Sequence, residues 1–337
     1  YWTDSNNDGV VNGDDTPVSA GAMGVALGNV NAAIAFFKPT DTNDTVSYTA
    51  LKVVADSAAF VGLEGLLTLT AKDITISANI ASDSANPDFD PTSLNLSALT
   101  DGGLTVATGN ESIKLDYDSR LLRVSIGDAT IAVSEFIFIR GAFAIEAGRT
   151  LDVTTAGSSP TTKEVTVLTF GTDNAYVFAG VGGPYWTDSN NDGVINGDDT
   201  PASAGATGVA LGGVQVGLAL FKPTDTADTD SYLSLAAAAD VAKFVGIPGI
   251  ELSAKGISIA VNQVKSTDPT APALNLSGLA GGGVTVATGG DDVLLDYSAD
   301  VLRVEIADAT LSLSEFVYIR GGFAFEKGPE IEVTDTD

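Results

Sequence analysis

Residues 1–38 lie over residues 185–222 without a gap, and 29 of these 38 positions are identical. Such identity across an offset of 184 residues means that one unit occurs twice, so any fold taken by the first copy must also suit the second. Further along, small deletions shorten the offset to 180, and residues 121–146 match residues 301–326 through the shared strings SEF and IRG. The seam divides the chain into a first repeat, 1–184, and a second, 185–337. The first repeat includes a Thr/Ser/Pro-rich connection at 150–162 that the second stops short of. The opening at Tyr1 and the stop at Asp337 in mid-pattern are those expected of a piece of a longer array.

Within each repeat a smaller pattern recurs: an alternating apolar run, two or three small or acidic residues, then another alternating run. Examples are LTLTAKDITIS around Asp73, VSIGDATIAV around Asp128, VALGNVNAAI around Asn29, residues 51–60 around Asp56, and LTFGTDNAYV around Asp173. Period-2 alternation is the signature of strands, and the small acidic residues between runs read as turns. The expected class is all-β: an elongated tandem repeat of β-solenoid-like stacked layers, with tandem antiparallel β-sandwiches as the alternative. The run 136–145 is apolar on both faces, which predicts a central strand or an interface between units.

The chain has no Cys and no His, so disulfides, thiolate chemistry, His-based metal sites and the commonest general base are all absent. Asp and Glu number 44 against 16 Lys and Arg, a formal charge of -28, which disfavours nucleic acid and anionic membranes and makes cations the natural partners. The same excess also serves the solubility of an exposed surface. No phosphate-binding Gly-rich loop, nucleophile elbow or basic–aromatic stripe is present, and the reading is non-catalytic.

One motif carries chemistry. The string DSNNDGVVNGDD, residues 4–15, places oxygen side chains at loop positions 1, 3, 5, 9 and 12 and Gly at position 6, and it recurs as DSNNDGVINGDD at 188–199. This is the spacing of a twelve-residue Ca2+ loop. The candidate ligands are Asp4, Asn6, Asp8, the carbonyl of Val10, Asn12 and Asp15 in the first copy. Those of the second are Asp188, Asn190, Asp192, the carbonyl of Val194, Asn196 and Asp199. Alternate residues turn toward a hard cation, and Gly9 or Gly193 allows the sharp bend.

The loop resembles those of dockerin and thrombospondin type 3 modules, and EF-hand loops apart from Asp at its last position. The likeness spans about twelve residues per copy, and β-like sequence rather than an amphipathic helix follows it. The wider repeat, with GPYWTDSNNDGV, KPTDT and FAFEKG, is similar to tandem repeats of very large bacterial surface and secreted proteins, including giant adhesin-like chains. That resemblance implies extracellular or cell-surface display in a long array with calcium-stiffened joints.

Weaker signals come with two readings each. The turns at Asp41–Asp44 and Asp225–Asp230 are solvated loops or second cation sites, the former favoured. Tyr1-Trp2 and Tyr185-Trp186 either pack a seam or stack on a sugar, and packing is favoured. Arg140 and Arg320 lie five residues from Glu135 and Glu315, on opposite strand faces, so each Arg is expected to pair across strands or between units. Together these features predict a calcium-stiffened structural repeat of an adhesin stalk or surface filament. The partners expected are neighbouring repeats, filament self-association and a glycan or surface ligand, without nucleic acid or membrane insertion. The alternative is a calcium-dependent carbohydrate-binding module or a non-catalytic part of a polysaccharide-degrading enzyme.

Overall fold

The computed structural model describes residues 24–61, 67–86, 91–109, 111–134, 136–186, 205–314 and 316–327, with isolated positions 5, 7, 9 and 189. Among them the regular structure is β apart from one 3-10 turn, Leu276–Gly278. In the first copy the strands are β1 (Gly24–Phe37), β2 (Val46–Val61), β3 (Leu67–Asp83), β4 (Leu104–Ala107), β5 (Ser112–Leu115), β6 (Leu121–Val133), β7 (Ile137–Thr155) and β8 (Thr162–Val181). The second copy supplies β9 (Thr207–Pro223), β10 (Ser231–Val245), β11 (Ile250–Lys265), β12 (Leu274–Asn275), β13 (Val284–Val286), β14 (Val293–Leu295), β15 (Val301–Leu313) and β16 (Val317–Lys327). The expectation of an all-β chain holds.

Eleven of these strands make one antiparallel sheet in the order β1-β2-β3-β6-β7-β8-β9-β10-β11-β15-β16, and short β12 joins it through β7. Neighbours in the sheet are neighbours in sequence, except where an insertion intervenes. Each repeat therefore contributes strands side by side, and the second continues the sheet of the first through β8 and β9, paired from Val165↔Pro223 to Val181↔Thr207.

The alternating runs prove to be halves of single long strands, which corrects the turn reading of the acidic residues between them. In β3, Ala71 and Ile74 are both buried in one cluster, with Leu69 and Ile76 packed against it, although Ile74 is three positions on from Ala71. Strict alternation would put them on opposite faces. Asp73, with φ 55°, takes the left-handed conformation and absorbs the extra residue as a kink that the facing strands share, the register staying unbroken on both sides. The pairing skips the same level in neighbouring strands: Asn29 and Asp56 between β1 and β2, and Asp73 and Gly127 between β3 and β6. It does so again at Asp240 and Gly256 between β10 and β11. A crease thus crosses the sheet from copy to copy, and sequence could not separate it from a hairpin because Asn, Asp and Gly suit both geometries.

Between β3 and β6, and again between β11 and β15, an insertion carrying a small hairpin (β4-β5 or β13-β14) folds over the sheet. Both insertions are tied down in the same way. Asn79 Nδ2 donates to the carbonyls of Leu94 and Ser119 at 2.8 Å each, and Asn262 Nδ2 to those of Leu274 and Ala299 at 2.9 Å each. Tyr117 and Tyr297 then donate their hydroxyls to the carbonyls of Leu51 and Leu235. Both asparagines are buried, so each amide replaces water by two carbonyl partners and the insertion cannot lift without leaving them unsatisfied.

Strand β7, which opens just after Phe136, is central, as its apolar sequence predicts, with β6 and β8 on its two sides. Its cover is incomplete, since Ile137 and Ile145 remain exposed.

Candidate functional site at the repeat join

The largest buried cluster among the described residues spans the place where the copies meet. Val153, Val165 and Val167 of the first copy pack with Phe221, Tyr232, Leu274, Leu276, Val284, Val286, Val293 and Leu295 of the second. The insertion of the second copy reaches back across the seam, and β12 pairs with the tail of β7 at Leu274↔Thr155 and Asn275↔Thr154. Gly171 is required there, because a Cβ on it would stand 2.1 Å from the carbonyl oxygen of Ala287.

Polar contacts lock the same join. Lys163 on β8 donates to Asp228 at 2.6 Å and to Asp230 at 3.1 Å. Partial burial works against the Lys163 ammonium, but hydrogen bonding with Asp228, Tyr232 and Asp230 outweighs it and raises its pKa above the ordinary lysine value. Asp230 is held below the usual carboxylate range, first by the Ser266 hydroxyl and then by Lys163. Arg149 Nη2 donates to the carbonyl of Thr285 at 3.3 Å. At the crease, Asp173 accepts from Gln215 at 2.9 Å and from the backbone N–H of Asp291 at 3.1 Å. A groove of about 780 Å3 flanks this region between Leu168, Leu220 and Leu233, and the two carboxylates in its wall, Asp228 and Asp230, are those that hold Lys163.

The second aromatic pair packs at the seam. Tyr185 is 4% exposed and stacks on Phe178 with ring centroids 6.0 Å apart. Trp186 meets both Tyr176 and Tyr185 edge-on at 5.1 Å and donates its indole N–H to the carbonyl of Leu211 at 3.0 Å. Lys243 lies over both rings, 4.9 Å from the centroid of Tyr185 and 5.5 Å from that of Trp186. Beside them the backbones of β8 and β9 touch: a Cβ on Gly208 would stand 2.2 Å from the carbonyl oxygen of Ala179. Tyr1 and Trp2 lie outside the described residues.

All twelve candidate calcium ligands lie outside the described residues too: Asp4, Asn6, Asp8, Val10, Asn12 and Asp15, and Asp188, Asn190, Asp192, Val194, Asn196 and Asp199. Gly9, at loop position 6, is described and has φ 87°, the left-handed turn that this position of a calcium loop requires. The donor set of carboxylates, amides and a carbonyl suits a hard cation of calcium's size. Among the described residues no three carboxylates converge on a cation site. Asp41, Asp44 and Asp225 accept backbone N–H bonds from residues two positions on, and Asp228 does the same while binding Lys163. The Asp41–Asp44 turn is exposed, whereas Asp228 and Asp230 are partly buried against Lys163. Arg140 pairs with Asp128, and Arg320 with Asp308, in both cases across adjacent strands as expected.

The sequence reading overlooked Lys163, Arg149 and the pair Asn79 and Asn262. An asparagine inside an apolar strand in both copies was a legible signal; the partners of Lys163 and Arg149, 65 and 136 residues away, were not. Comparison with protein-family models, with curated proteins and with solved structures gives no match.

Proposed function

We propose that this chain is a calcium-stiffened structural repeat acting as a spacer in an extracellular adhesin stalk or surface filament, with no catalytic role. The observation that carries the reading is the join: one sheet passes from copy to copy, and the core under the second insertion is completed across the seam by Val153, Val165 and Val167 of the first copy. A spacer needs firm contacts between units, and the seam has a paired strand, buried valines and an ion pair. Stacked solenoid-like layers and tandem sandwiches share the content kept here, an elongated array growing along one axis. Consecutive antiparallel pairing supports growth by lengthening one sheet. The six sheet strands of the first repeat, about 4.8 Å apart, advance the array by about 30 Å.

Calcium enters through the loops at 4–15 and 188–199, the second of which lies on the connection between β8 and β9. When bound, it would be held by the oxygen ligands named above and would order that connection beside the Tyr185-Trp186 seam. Burial of Tyr185 supports a packing role for the aromatic pair over a sugar platform.

Thermal unfolding and small-angle scattering of the whole chain, in millimolar calcium and in excess chelator, test the proposal. The expected result is a higher Tm and a stiffer, more extended particle with calcium, both lost in Asp192→Ala combined with Asp8→Ala. Identical curves in all conditions would remove the calcium role. A compact particle in calcium would remove the spacer.

A further inference from the structure

The two copies offer a comparison within one molecule. Several surfaces of the second copy that the first copy covers have counterparts on the first copy that are more open. Leu274 is fully buried against β7, whereas Leu94, at the same place in the first insertion, is only partly buried. Phe221 is 1% exposed while its counterpart Phe37 is partly exposed, and Phe36 beside it is 72% exposed. Where Gly208 meets the backbone of Ala179, nothing lies within 4 Å of the Cβ position on Gly24. Asp228 holds Lys163, but Asp44 is exposed and bonds only its own turn. Among the described residues β1 pairs with β2 alone and has one open edge, while β9 pairs on both sides.

We propose that the open edge of β1, together with the underside of the insertion at 91–117, is a docking surface for the β7-β8 hairpin of a preceding repeat of this same design. The occupant is specified by the established join. Its β8-type strand lies antiparallel along β1 as β8 lies along β9, and its β7-type tail takes Leu94 and Asn95 as β7 takes Leu274 and Asn275. Its valines at the places of Val153, Val165 and Val167 complete the core that in the first copy stops at Ala33, Ala50, Leu96, Ile113 and Leu115. Charges match as well: a lysine at the place of Lys163 meets Asp44, and an arginine at that of Arg149 meets the carbonyl of Thr105, the counterpart of Thr285. Antiparallel ladders satisfy backbone groups that an edge strand otherwise presents to solvent, so the edge and the apolar underside are filled by one element.

The proposal rests on the serial-array reading and can fail separately from it. The test places residues 137–184 directly ahead of Tyr1 of the full chain, so that Pro184 runs into Tyr1 as it natively runs into Tyr185. Amide hydrogen exchange is followed in β1 and at 91–99, with β9 and 271–279 of the same molecule as internal reference. The expected result is exchange in β1 slowed at least tenfold toward that of β9, with the slowing abolished by Val165→Asp and Val167→Asp in the added segment alone. Unchanged β1 exchange with a protected β9 overturns the proposal and leaves the array standing. If β9 exchanges as fast as β1 in the unextended chain, the copies are not coupled and both readings fall. Protection of β1 that rises with concentration of the unextended chain assigns the edge to a second copy and overturns the hairpin as its occupant.

Discussion

Lys163 and Asp228 stand 65 residues apart in sequence, one in each copy, with the ammonium 2.6 Å from the carboxylate. The contact is a clasp on the seam: β8 supplies the cation, and the turn between β9 and β10 supplies Asp228 and Asp230. Lys163→Met keeps the aliphatic stem and removes the charge, leaving two carboxylates together without their counterion. The expected loss is about 1 kcal/mol of stability, read by urea unfolding, with Lys163→Arg retaining most of it.

The same clasp sets a pH dependence. Lys163 has a raised pKa in the folded chain, so its contribution is fully present below the unfolded lysine value of 10.5 and is lost as pH climbs through the higher folded value. Asp230 has a lowered pKa, so its contribution is present above 3.8 and is lost as pH falls through the lower folded value. The Tm of the wild-type chain should decline at both extremes. Asp230→Asn should flatten the acid limb, and a variant whose acid limb is unchanged would remove Asp230 from this account.

Asn262→Ala would leave the carbonyls of Leu274 and Ala299 buried without a donor. The expected cost is about 2–3 kcal/mol, with faster amide exchange in β12 and the 3-10 turn. Asn79→Ala should act alike in the first insertion. Because that insertion closes a smaller core, it should open first in a denaturant series monitored by exchange.

At the crease, Asp73 and Gly256 hold equivalent places, and both have positive φ, 55° and 58°. Asp73→Gly should therefore be tolerated, whereas Asp73→Val, β-branched in a left-handed conformation, should cost about 1–2 kcal/mol. Deleting Asp73 should be worse than either change: Ala71 and Ile74 would still share a face, but β2 and β6 keep their own extra residues at Asp56 and Gly127, so one half of β3 slips by a residue against both neighbours. Circular dichroism melts of the three variants give the order.

That slip was visible in the sequence. In LTLTAKDITIS the apolar positions fall at odd numbers up to Ala71 and at even numbers from Ile74. Strand content, the repeat and its seam followed from such local patterns, as did packing of Tyr185-Trp186 at the seam. A left-handed residue between two alternating runs reverses the chain in a hairpin and merely creases it within a continuous strand, and only the partner strands decide which. Asp73 was therefore read as a turn when it bends a continuous strand. The clasp between Lys163 and Asp228 was hidden for a related reason: its partners are brought together by the order of strands in the sheet, a property that neither segment carries alone.

The direction of the ladder has a mechanical consequence. Antiparallel hydrogen bonds run perpendicular to the strands, so a load pulling the first copy away from the second acts along those bonds and opens them one after another. Such a sheet peels at low force, whereas one loaded along its strands must break many bonds at once. The insertion at 266–300, with its hold on β7, β8, β9 and β10, bridges the seam like a rivet over a zipper. Extension of a tethered chain under force should show a train of low peaks as strands leave the sheet, punctuated by one taller peak when the rivet over β8 and β9 gives way.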